Sequence, residues 1–76
     1  MTQIAFVLIS CTMGQEHTVL EQIRAISQVK NAMITYGEYD LVAKIVAESA
    51  QEMANIISSQ IRQIQTIRST VTLHVT

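Results

Sequence analysis

The stretch "TYGEYDLVAKI", residues 35–45, decides the fold. A β-branched and aromatic run stops at Gly37, turns over through Glu38-Tyr39-Asp40 and restarts as a second apolar run. Glycine supplies backbone conformations closed to other residues, and aspartate bonds readily to turn amides. The stretch is therefore two strands joined by a tight turn. Working upstream, "VKNAMITY" (29–36) is the first of these strands; downstream, "LVAKIVA" (41–47) is the second. In the latter, Leu41, Ala43, Ile45 and Ala47 share one face, and Val42 and Val46 flank Lys44 on the other.

Outside the hairpin, each flank supplies one helix and one strand. Residues 4–9, "IAFVLI", are a continuous apolar run of strand length, and the lack of alternation calls for cover on both faces. After the breaker Gly14, residues 16–27 place Val19, Leu20, Ile23 and Ile26 on one helical stripe. Ser49-Ala50-Gln51-Glu52 is a capping-box pattern. The helix it opens should run to about residue 63, with Ala50, Met53, Ala54, Ile57, Ile61 and Ile64 inward. Residues 67–75 alternate strictly: Ile67, Ser69, Val71, Leu73 and Val75 against Arg68, Thr70, Thr72 and His74.

The order is β-α-β-β-α-β, which predicts an α+β fold: a ferredoxin-like sandwich with a four-stranded antiparallel sheet and two helices on one face. Two helices cover one side of such a sheet. The other side stays open, and its apolar side chains call for a partner sheet, so the chain should dimerise through the open sheet face. Composition points the same way. With 76 residues there is room for one domain, residues 1–76, and a chain this short buries only about 60% of its unfolded surface. Yet 49% of residues are hydrophobic, 14% are charged, and mean hydropathy is +0.29. That much apolar side chain exceeds what so small a core hides, and an oligomer follows.

Several function classes are disfavoured. Net charge is −1, and the five Lys+Arg are scattered, without the basic patch of a nucleic-acid binder. The aromatics are Phe6, Tyr36 and Tyr39, too few for a base-stacking platform. No apolar stretch approaches a membrane span of about 20 residues. The apolar run at the N-terminus lacks a preceding basic region, and a single cysteine, Cys11, fits a reducing compartment. The expectation is a soluble, cytoplasmic protein. His17 and His74 lie on different elements without metal-ligand neighbours, two glycines cannot build a phosphate loop, and no nucleophile stands beside a base. A binding protein without cofactor or metal is favoured over an enzyme.

With the turn and element order in hand, the chain resembles the effector domain, often called the RAM domain, of the Lrp/AsnC transcription regulators. That family carries a Gly-x-Tyr-Asp turn between its second and third strands, here Gly37-Glu38-Tyr39-Asp40. It also carries a branched residue and a Thr-x-Thr segment in the last strand, matched by Ile67 through Thr72. The resemblance spans the whole chain. It implies homodimers, assembly of dimers into rings of eight or ten, and an amino acid bound at dimer–dimer contacts. Gly37, Tyr39 and Asp40 carry over as one side of that pocket, and Thr70 and Thr72 as nearby polar contacts. Family members normally have an N-terminal helix-turn-helix, whereas Met1 here lies only a few residues before the first strand. The expectation is a chain without its own DNA-binding domain that acts through self-association or by joining a full-length regulator.

The ligand chemistry is reasonable. A buried amino acid needs partners for its ammonium and its carboxylate. Asp40 could accept from the first, turn amides or threonine hydroxyls could donate to the second, and Tyr39 could form a wall. Plainer roles stand beside these: Gly37 for its φ alone, Asp40 for turn amides, Thr70 and Thr72 as ordinary strand residues. Three alternatives stay open: a purely structural assembly module, an ACT-type regulatory domain, and a small dimeric ferredoxin-like enzyme.

Overall fold

A computed structural model describes residues 2–75; Met1 and Thr76, included in the expected domain, lie outside the described residues. Strands β1 (Gln3–Cys11), β2 (Val29–Ile34), β3 (Leu41–Ala47) and β4 (Ile67–Val75) form one antiparallel sheet in the order β2-β3-β1-β4. The helical layer comprises α1 (Glu16–Arg24), α2 (Ala50–Asn55) and a continuing π-helical turn, α3 (Ile56–Ile61). The ferredoxin-like βαββαβ arrangement predicted from the hairpin is the one observed.

The two sheet faces differ sharply. Towards the helices, Ala5, Val7 and Ile9 of β1 and Leu41, Ala43 and Ile45 of β3 are buried. They pack with Val19, Leu20 and Ile23 of α1 and with Met53, Ile56 and Ile61 of the second helical segment into one core. On the opposite face the register aligns Met33, Val42, Leu8 and Val71 in one row, and Val46, Ile4 and Val75 in another. Between them runs Asn31, Lys44, Phe6 and Leu73. Phe6, Met33, Val71, Leu73 and Val75 remain 36–51% exposed. The continuous apolar run of β1 thus has cover on one side only within the chain. The other side is the apolar face that the composition required.

Element boundaries depart from the periodic pattern for identifiable reasons. The α1 helix ends at Arg24 rather than 27, because the Ile26 N–H turns to the Ile23 carbonyl in a tightened last turn. Ile26 nevertheless remains buried. The Ser49 hydroxyl accepts from the Glu52 N–H at 3.1 Å and starts α2 as the capping pattern indicates. Beyond Asn55 the backbone widens to i→i+5 bonding, and the Arg62 N–H reaches the Ile57 carbonyl. Met53 and Ile56, three residues apart, face the core, whereas Ala50 and Ala54 are exposed, so the buried stripe is narrower than the sequence suggests; Ile61 returns to the core after the wide turn. In β4 the ladder shifts between Ser10/Ser69 and Cys11/Ile67, which makes Arg68 the extra residue of a bulge. Ile67 therefore packs on the core and does not share the open face with Ser69.

Candidate functional site

The β2–β3 connection is built around Thr35 and Asp40. Strand β2 ends at Ile34, two residues earlier than its β-branched sequence suggests, and the Thr35 N–H bonds the Asp40 carbonyl at 2.8 Å. The Thr35 hydroxyl donates to the Tyr39 carbonyl at 2.9 Å, clamping the loop a second time. Gly37 has φ +134, a conformation that side-chain-bearing residues rarely adopt, and a Cβ there would meet nothing within 4 Å. Backbone conformation, not crowding, sets the demand for glycine. Tyr36 projects almost entirely into solvent.

Asp40 holds three connections at once. Its N–H donates to the Ile9 carbonyl and its carbonyl accepts from Thr35. Its carboxylate accepts the Cys11 N–H at 2.9 Å. Cys11 needs such an acceptor because β3 begins opposite Ile9, leaving the end of β1 beyond its neighbour, and the β1–β4 ladder slips at this level. Burial pushes the Cys11 thiol up from its ordinary pKa near 9.0, and the carboxylates of Asp40 and Glu16 add to the effect.

Two open clefts meet at Asp40. One, of about 450 Å³, is lined by Ser10, Cys11, Glu38, Asp40, Arg68 and Ser69. The other, of about 510 Å³, lies against the start of α1 and is lined by Glu16, His17, Ile34, Thr35, Tyr36 and Asp40. The first gathers two acidic residues, an arginine and two serines. It suits a small ligand carrying both signs of charge. Glu38, Arg68, Ser10 and Ser69 were not singled out from the sequence. The available signal was Ser69, a polar residue in an otherwise apolar row of Val71, Leu73 and Val75. The bulge that determines the setting of Arg68 left no mark in the alternation.

Among the candidate residues, Gly37, Tyr39 and Asp40 share one loop. Thr70 and Thr72 pair with Ile9 and Val7 on the helix side of the sheet. They line other clefts: Thr70 with Arg62 and Arg68, Thr72 with Ala54, Ile57, Arg62 and His74. A single chain does not bring them into the clefts beside Asp40. His74 lies on an open groove, not in an enclosed cavity. Among the described residues no group of His, Cys, Asp and Glu could hold a metal ion, and no helix is long and apolar enough to cross a membrane.

Comparison with known proteins places this geometry. Residues 4–76 match the family described as the Lrp/AsnC ligand binding domain. An uncharacterised HTH-type transcriptional regulator of Pyrococcus abyssi is 36% identical over 58 residues, which cover 76% of this chain and 39% of that protein. The match therefore spans well under half the length of that relative. A hypothetical protein of Pyrococcus horikoshii superposes with a TM-score of 0.93 at 33% identity, covering 100% of this chain and 90% of that one. AsnC of E. coli has the same fold, with a TM-score of 0.91 at 24% identity over 96% of this chain and 50% of its own. A Neisseria meningitidis transcriptional regulator, solved as an L-Met complex, shares the fold with a TM-score of 0.86 at 12% identity, over 97% of this chain and 49% of its own. The match over nearly the whole chain, together with the strand order and the glycine turn, establishes that the chain belongs to the Lrp/AsnC ligand binding domain family.

Proposed function

We propose that residues 1–76 act as a single sensing and oligomerisation module for a small amino acid, with the clefts around Asp40 as one wall of its pocket. The observation that carries this reading is the charge pattern of the Ser10–Asp40–Arg68 cleft. Carboxylates from Glu38 and Asp40 and a guanidinium from Arg68 line one concavity. An amino acid presents an ammonium to the first two and a carboxylate to the third. The cleft is open, so a second chain has to close it before the ligand is desolvated. The Neisseria regulator solved with L-Met supports this ligand class by analogy of fold.

Self-association through the apolar sheet face supplies that second chain. Dimers stacking into rings of eight or ten would then place the Gly37–Asp40 turn at subunit contacts. There, Thr70 and Thr72 of another subunit could complete the pocket. Ligand binding shifts the assembly by its different affinity for the two states. With a net charge of −1, the module itself is not suited to DNA. It reaches DNA through a helix-turn-helix domain, and works in the cytoplasm without catalysing a reaction.

A calorimetric titration against all twenty amino acids tests the reading, with Asp40→Asn as control. Heat from one or a few amino acids, lost in the variant, supports it. Silence across the panel at millimolar ligand sinks it. The contacts of Asp40 favour a second reading, a purely structural module. Cys11, Ile9 and Thr35 already account for the residue. Under that reading light scattering finds the same assembly with and without every amino acid.

A further inference from the structure

We propose that Arg62, Arg68, Ser69 and Thr70 form a binding site for a small phosphate-bearing anion. They line an open cleft of about 330 Å³ together with Ile67. Two of the chain's five Lys+Arg residues meet there, and no carboxylate lines the cleft among the described residues. A phosphate offers enough oxygens to engage two guanidinium forks and one strand hydroxyl together. A lone carboxylate would satisfy one fork and leave the second cation unneutralised.

Two departures from regular backbone frame the cleft, and they are independent of one another. Arg62 follows the π-helical turn, its N–H bonded to the Ile57 carbonyl at 2.9 Å. Arg68 is the extra residue of the β4 bulge, between Ile67 on the core and Ser69 on the open face. π-turns and bulges recur at functional sites because they redirect side chains that regular structure would point elsewhere. A cation at the end of a helix is also favoured by the helix dipole, which accounts for Arg62 alone. It leaves Arg68 without a reason to share the same cleft. Both arginines are exposed, so binding should be modest and weakened by salt. The site does not depend on the amino-acid reading, although Arg68 also borders the Asp40 cleft.

The test is an amide NMR titration of the whole chain with inorganic phosphate at fixed ionic strength, with sodium chloride as reference. A parallel arm uses ribose 5-phosphate to separate a free phosphate from a phosphorylated metabolite. The expected result is a saturable shift centred on Ser69 and Thr70, weakened by roughly tenfold in Arg62→Gln and in Arg68→Gln. Arg68→Lys should retain part of the affinity, because it keeps the charge without the fork. Identical shifts with chloride, or unchanged isotherms in both glutamine variants, would overturn the proposal.

Discussion

The carboxylate of Asp40 accepts the backbone N–H of Cys11 at 2.9 Å across 29 positions of sequence. The residue that looks most like a ligand contact is therefore also a fastener for the end of the central strand. The two roles separate by substitution. Asp40→Ala strips the acceptor from a part-buried N–H and should cost about 1–3 kcal/mol of stability. Asp40→Asn keeps an acceptor and loses the charge, so its urea midpoint should stay close to that of the parent while amino-acid binding falls. Parent-like binding by Asp40→Asn would remove the carboxylate from the ligand site.

Gly37→Ala should destabilise through backbone strain alone. Nothing stands within 4 Å of the added methyl, but φ +134 is a conformation that alanine resists. A loss of about 1–3 kcal/mol is expected by chemical denaturation. A neutral result would mean that the loop relaxes to another shape at little cost.

Thr35→Val keeps the volume and removes the hydroxyl that donates to the Tyr39 carbonyl. About 1 kcal/mol should be lost, read from the same denaturation curves. The amides of 36–39 should also exchange faster with solvent, since one of the loop's two clamps is gone.

Leu73→Asp places a charge in the middle row of the open face, beside Phe6. If two sheets pack face to face, burying that carboxylate is prohibitive and the variant should sediment as a monomer. Because the dimer supports the fold by mass action, its melting temperature should also fall and lose its dependence on concentration. A Leu73→Asp dimer of full strength would mean that association uses another surface.

Alkaline pH should weaken the fold through Cys11. Burial, then the Asp40 and Glu16 carboxylates, raise the thiol pKa in the folded chain above its ordinary value near 9.0. The contribution is fully present below the unfolded value and is lost as pH rises towards the folded one. Urea midpoints should therefore fall on the alkaline side of that value, and Cys11→Ala should flatten the slope. At neutral pH the parent thiol should react slowly with alkylating reagents.

The hairpin at 35–45 was legible because a glycine, a short polar turn and two apolar runs agree at every level. Helix and strand types followed from periodicity, and the open face followed from having two helices for four strands. The irregular positions were hidden. The helix widens over Ile56–Ile61, and Arg68 stands in a bulge set by how β4 slips against Cys11. Both depend on packing between distant segments, which local pattern does not encode. Thr70 and Thr72 lie on their expected strand, but they line other clefts than the two beside Asp40 within one chain. Their part in a pocket hinges on a neighbouring subunit.

The widened turn at Ile56–Ile61 has a bearing on how this protein can change in length. An α-helix advances about 100° per residue, so losing one residue ordinarily swings everything beyond it to a new face. A π-turn takes up roughly one further residue for the same rotation. Removing the exposed Ser59 should let the segment close as plain α-helix, with Ile61 still inward and Arg62 still at the β4 cleft. The helix holds a spare residue, and a single-codon deletion at this place should pass where the same deletion in α1 would not.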